Sequence, residues 1–275
     1  MVMTIWICAT CGVEHPDSPE PPPGDCAICA DERQYIPHEG QSWISLDQLS
    51  AQPHATVHRE HGFGVHALYR EPEFAIGQHS YLVQTAEGNL LWDPPNYLDA
   101  EILAIVRKLG GAAVIAASHP HMFGSQVSWS TALGGARVLV NAADRAWVRR
   151  ADAAIESWDE LLAPLPGITL VRLGGHFPGS AVAHLDDAAG GTLLVGDTIG
   201  GAAAEGWLTF LRSYPNRIPL SANIVRRIAD SLEPYAFERL FGLGGKAIRH
   251  GAAHAVRRSA QRHIDRVTGA HDELT

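Results

Sequence analysis

Three observations predict an α/β fold for this chain of 275 residues. Short apolar runs alternate with stretches of helical period, the order expected of strands separated by helices. Several of those runs end in a histidine or an aspartate, and α/β proteins keep their chemistry at strand ends. The composition is 46% hydrophobic and 19% charged, enough apolar material for a sizeable core.

All four cysteines come first, as Cys8-Ala9-Thr10-Cys11-Gly12 and Cys26-Ala27-Ile28-Cys29. Two Cys-x-x-Cys pairs 14 residues apart have metal-site spacing, because each pair folds into a knuckle and two knuckles close a tetrahedral thiolate cage. Two disulfides are the other reading. Residues 1–7 lack the basic region and long apolar core of an export signal. A cytoplasmic, reducing compartment is therefore expected, in which thiolates persist. Residues 1–37 are read as a zinc ribbon-like segment with one structural zinc on Cys8, Cys11, Cys26 and Cys29. The Cys-x-x-Cys-Gly knuckle also resembles rubredoxin, which makes iron the alternative; Ala30, where rubredoxin has glycine, favours zinc. A closed four-thiolate site has no position for substrate, so the ribbon is expected to dock or dimerise rather than catalyse. Its tip, residues 16–24, reads as a stiff extended loop. Residues 38–53 read as a connector, with Trp43-Ile44-Ser45-Leu46 as a short apolar clamp, and residues 54–275 as the second domain.

Histidines 54, 58, 61 and 66 lack ligand spacing and read as surface or core-edge residues. Strands are predicted at 79–83 and 90–92, joined by a turn at 87–89 and ending in Asp93. Apolar residues at 102, 103, 105, 106 and 109 behind Asp99 predict a capped helix. The continuously apolar run 112–117 predicts a strand buried on both faces, and it delivers Ser118-His119-Pro120-His121. A helix at 125–133, a strand at 137–140, a helix at 142–150 and a helix or loop at 152–163 follow. The strand at 168–173 delivers Gly174-Gly175-His176, and the strand at 192–195 delivers Gly196-Asp197. Helices are predicted at 224–232 and 252–267, the second with a basic stripe of Arg257, Arg258, Arg262 and Arg266.

Imidazoles and a carboxylate at the mouth of a sheet suit a borderline divalent metal, so His119, His121, His176 and Asp197 are the candidate ligands. As an ordered set, Asp93, His119-Pro120-His121, Gly175-His176 with Gly179-Ser180, and Gly196-Asp197 resemble the metallo-β-lactamase fold superfamily over about residues 60–265. The resemblance implies a four-layer αβ/βα sandwich and a metal-dependent hydrolase. It also implies that the first metal site is kept whole while the second is lost: Phe123 and Gly124 stand where the family has Asp and His, and Leu243 where it has its last His. A mononuclear centre follows, with His250 and His79 as possible additional ligands. The resemblance further makes Trp207, Phe210, Arg212 and Tyr214 candidate pocket residues; for Trp207 and Phe210 the i, i+3 spacing of a helix core is the alternative.

A net charge of -9 argues against nonspecific nucleic-acid binding, and no apolar run is long enough to span a membrane. The expected partner is a small molecule, with a homodimer through the ribbon as the expected assembly. The reading of function is hydrolysis of a small ester, thioester or lactone by a mononuclear metal-bound hydroxide, with His119, His121, His176 and Asp197 as the catalytic set. Zinc is expected at the histidine site, and iron there is the alternative. His119, His176 and Asp197 could form the two-histidine, one-carboxylate face of an iron(II) centre, giving a persulfide-dioxygenase-like oxidoreductase. A non-catalytic metal-binding protein that recruits partners is the third reading.

Overall fold

The computed structural model describes residues 2–274. Near the N-terminus, β1 (Trp6–Cys8) pairs antiparallel with β2 (Trp43–Ser45), so the predicted clamp closes the ribbon as a strand. Helix α1 (Leu46–Ala51) follows, with Ser45 and Gln48 forming a reciprocal capping box.

A seven-stranded sheet then runs in chain order through β3 (Ala55–Gly62), β4 (Val65–Glu71), β5 (Ser80–Val83), β6 (Leu90–Trp92), β7 (Val114–Ala116), β8 (Arg137–Asn141) and β9 (Ile155–Trp158). Pairing is antiparallel up to β6 and parallel beyond it. The crossovers carry α2 (Ala100–Lys108), whose N-terminus Asp99 caps as predicted, and α3 (Gln126–Ala132). The second sheet begins with β10 (Leu161–Leu165), β11 (Ile168–Arg172), β12 (Ala181–Leu185) and β13 (Thr192–Leu194). Two small hairpins interrupt it, β14 (Gly200–Gly201) with β15 (Leu208–Thr209) and β16 (Leu211–Ser213) with β17 (Ile218–Pro219). After α4 (Ala222–Leu232), β18 (Arg239–Phe241) joins β13 in parallel, β19 (Ala247–Ile248) closes the edge, and α5 (Ala252–Val267) ends the fold.

Alternation at period two sorts the strand residues into layers. Ala67, Tyr81, Val83, Leu90, Trp92 and Val114 of the first sheet meet Leu170, Ala181, Ala183, Leu194 and Phe241 of the second in one core between the sheets. Their neighbours Leu68, Leu82, Leu91, Ile115 and Val138 face the other way, under α2 and α3. Val171, Val182, Leu193 and Leu240 likewise face α4 and α5. The layers are therefore helix, sheet, sheet, helix: the αβ/βα sandwich. Ile7, Cys8, Cys11, Val13, Ile28 and Leu49 belong to the same outer core as α2 and α3, so the cysteine segment is packed into the sandwich face.

Two predicted elements differ. Residues 142–150 form only a short 3-10 helix, Ala142–Trp147. Residues 152–163, read as helix or loop, supply β9 and the start of β10, which carry the chain from one sheet to the other. Pro164 obscured the second of these, but β10 is an edge strand, where a missing N–H costs no ladder bond. Among the described residues no helix is long and apolar enough to cross a membrane.

Candidate metal centre

Each predicted ligand follows a strand end by a few residues. His119 follows β7 and opens a 3-10 turn at Pro120–Met122 that turns His121 back beside it. His176 lies on the loop after β11, and Asp197 on the loop after β13. The fold brings these four together, with one ligand atom from each within 4.8 Å of the others. His176 Nε2 is 3.2 Å from His121 Nδ1, and Asp197 Oδ2 is 3.5 Å from His119 Nε2 and 3.6 Å from His176 Nε2. A tetrahedral ion with ~2.0–2.1 Å bonds to nitrogen requires ligand separations of roughly 3.3 Å, and these distances fit it.

The surroundings fix which nitrogens are bare. Ser118 Oγ donates its one proton to Asp93 Oδ2 at 3.2 Å and accepts Nδ1–H of His119 at 2.9 Å, leaving His119 Nε2 as a lone pair. His176 Nδ1 donates to Leu211 O at 3.2 Å, leaving its Nε2 bare. His119 Nε2, which faces Asp197, is buried without a hydrogen-bond partner. Unpartnered buried imidazole nitrogens are costly unless an ion satisfies them, so the donor set fits a divalent metal.

Burial, then the neighbouring charge of His119, holds His176 down to about 4, and burial takes His121 well below the usual histidine range. Both are neutral at pH 7, the state that ligates. Burial alone would raise Asp197, but the close imidazole of His119, with those of His176 and His121 beside it, outweighs burial and holds the carboxyl at about 2. Asp93, fully buried, is pushed up to about 7 despite the backbone and hydroxyl donors of Ser118. Gly196 is required beside this relay, since a Cβ there would lie 2.2 Å from Ser118 Oγ.

Asp197 and His121 open onto a cavity of about 400 Å³. Tyr214, Gly200, Gly201, Leu243 and Lys246 line it on the sandwich side, and Tyr214 donates its hydroxyl to Asp197 O at 3.1 Å. The other wall is Thr10, Arg33, Gln34 and Tyr35, from the cysteine segment. Sequence reasoning missed these four, because no local pattern says that a ribbon folds back over a strand end far along the chain.

The remaining expected residues fall elsewhere. Phe210 is fully buried in the core under α4 and α5, at the one-residue link between β15 and β16 rather than on a helix. Trp207 lies beneath Arg258 and Arg262, 4.5 and 3.7 Å from its ring, which absorbs half of the basic stripe. Arg212 pairs with Glu32. His79 stacks on Tyr69 at 3.9 Å, and His250 lies in the loop before α5, not on a helix, with its side chain 91% exposed; neither is in the ligand group. Phe123 is buried in the outer core, and a Cβ on Gly124 would lie 2.3 Å from Pro94 O, so no histidine fits there.

The four cysteines form a second group. Cys8 Sγ is 3.6 Å from Cys29 Sγ and Cys11 Sγ 3.9 Å from Cys26 Sγ, with all four within 4.8 Å. A disulfide needs about 2.0 Å, whereas a tetrahedral cage with ~2.3 Å metal–sulfur bonds needs roughly 3.8 Å between sulfurs. The cysteines are free thiols with the geometry of a zinc ribbon.

No family model matches the chain. The Bacillus subtilis (strain 168) protein YmaE, itself described as uncharacterized, is 41% identical over 266 residues, covering 95% of this chain and 96% of its own. The solved structure of TMB-1 superposes with a TM-score of 0.58 at 13% identity, over 77% of this chain and 99% of that one. The metallo-β-lactamase DIM-1 superposes at 0.57 and 12% identity, over 76% and 99%. This chain belongs to the YmaE family, and its fold is that of the metallo-β-lactamases. In the YmaE relative the match extends over nearly the whole length of both chains.

Proposed function

We propose that the protein is a metal-dependent hydrolase of a small ester, thioester or lactone, working through a mononuclear centre on His119, His121, His176 and Asp197. The observation that carries this reading is the convergence of three imidazoles and one carboxylate within 4.8 Å at the wall of a cavity of about 400 Å³. A divalent ion held there supplies Lewis acidity, acidifying a water and polarising an acyl carbonyl. The chain's own residues do the rest. Ser118, backed by Asp93, orients His119, and Leu211 orients His176. Asp197, with a side chain 18% exposed, is the ligand that meets the cavity and is placed to take the proton of the attacking water. As the acyl C–O or C–S bond breaks, that proton passes to the departing alkoxide or thiolate. A cavity of about 400 Å³ suits a small molecule, and the four free thiols favour a reducing, cytoplasmic compartment.

A panel of chromogenic esters, thioesters and lactones tests this reading. Turnover of at least one class, lost about 10³-fold or more in His119→Ala, is expected. Turnover that survives His119→Ala would contradict it. Asp197 Oδ2 sits almost equally far from His119 and His176, the arrangement of a two-histidine, one-carboxylate face. Iron at this centre would therefore turn the same residues toward oxygen chemistry on a thiol or persulfide.

A further inference from the structure

We propose that Arg33, seated by the cysteine segment, is a positioning residue for the histidine centre, so that metal affinity at the histidines is set from the four-cysteine site. This inference rests on the reading of His119, His121, His176 and Asp197 as a metal centre.

Arg33 lies four residues beyond Cys29 and is buried, with only 8% exposed. Its Nε donates to the backbone carbonyl of His176 at 2.6 Å, across 143 residues of sequence. Its guanidinium covers the Phe177 ring at 4.2 Å. Phe177 in turn touches all three imidazoles, with centroids 5.9 Å from His119, 4.9 Å from His121 and 5.2 Å from His176. Arg33 thus holds both the backbone of one ligand and the aromatic ring that supports all three.

The segment around it is tied down on both sides. Asp31 Oδ1 accepts from Arg33 Nη1 at 2.6 Å, fixing the fork. On the other side, Ser213 donates to Arg33 O at 3.1 Å, and Asn216 Nδ2 donates to Glu32 O at 3.0 Å and Gln34 O at 3.2 Å. Ser213 and Asn216 belong to the stretch that begins with Leu211, whose carbonyl receives His176 Nδ1–H. His176 is therefore held at its backbone by Arg33 and at its ring by a loop that Arg33's own segment anchors. Residues that orient a ligand from behind commonly change metal affinity 10- to 100-fold. If the cysteine cage opens, Arg33 loses its seat, and the two sites are linked through it.

The test is titration of full-length protein with Co²⁺, loaded first at the cysteines, reading thiolate charge-transfer bands for one site and ligand-field bands for the other. In Arg33→Met, which keeps the bulk and removes the donor, affinity at the histidines should fall about 10-fold or more with altered ligand-field bands, while cysteine occupancy stays at one. Arg33→Lys, which restores a donor for the His176 carbonyl, should recover most of that loss. Asn216→Ala, on the exposed loop, should give a smaller loss of about 3-fold and stands in if Arg33→Met does not fold. Wild-type affinity and spectrum in Arg33→Met or Asn216→Ala would overturn the positioning role. Uptake of a single Co²⁺ by the wild type would instead overturn the histidine centre itself.

Discussion

Four thiols near the N-terminus and three imidazoles with a carboxylate in the sandwich are buried to nearly the same depth, yet only one group opens onto a cavity. Each cysteine is at most 1% exposed, and none lines the cavity that Asp197 and His121 reach. A metal held by the cysteines has every position filled and can contribute only stability. One held at the histidines has its fourth ligand against open space, where water and substrate can enter. The contrast extends to Phe123 and Gly124, just beyond His121. Gly124 O accepts the backbone N–H of Glu14 at 3.0 Å, and Phe123 packs in the core that the cysteine segment shares. Phe123 and Gly124 therefore help to seat the cysteine segment.

The largest effect should come from opening the closed site. Cys8→Ser should cost several kcal/mol and lower the thermal midpoint of the whole chain by about 10 °C or more, because the cysteines share one core with Leu82, Leu91 and Ile115. Calorimetry showing an unchanged main transition beside a small separate one would break the idea of a shared core.

The seat of the ribbon comes next. Glu14, 2% exposed, accepts from Val127 N and from Ser128 Oγ at 2.7 Å at the start of α3, and pairs with Arg150 at 2.9 Å. Glu14→Ala leaves Val127 N and Ser128 Oγ without their acceptor and takes from Arg150 its buried carboxylate, leaving it only Asp17 at 3.0 Å, and should cost about 3 kcal/mol in urea unfolding. A change within experimental error would mean that the docking is carried by apolar packing alone.

A smaller effect concerns the loop that carries His176. Asp144 Oδ1 accepts from Gly179 N at 2.9 Å, and burial raises its carboxyl from 3.8 to about 6. Because the folded value lies above the unfolded one, its contribution is full below about pH 4 and is lost as pH rises through 6. Asp144→Asn should keep the hydrogen bond and remove that loss, gaining on the order of 2 kcal/mol over the wild type at pH 8 relative to pH 4. Parallel pH profiles for the two proteins would show that Asp144 does not titrate as its burial implies.

Much of the fold could be read because its elements are locally encoded. Asp99 caps α2, and within the apolar run 112–117 the central Val114–Ala116 forms a strand buried on both faces. The candidate ligands were readable for the same reason, each standing just beyond a strand whose apolar run announces it. The other cavity wall was not readable. Arg33 and Gln34 sit at the end of the ribbon-like segment in a stretch without a motif of its own, and their role depends on contacts made more than a hundred residues away. β10 carries Pro164, tolerated because the strand is at an edge and its register shifts between Leu162 and Leu165.

The comparison of a closed and an open site is tested most directly by elemental mass spectrometry of protein purified without added metal or chelator. The account predicts two metal ions per chain, one lost in Cys8→Ser and the other in His119→Ala. Zinc at both sites would support the hydrolase, and one iron would direct attention to oxygen chemistry. Unchanged metal content in His119→Ala would contradict the open centre on which the functional reading depends.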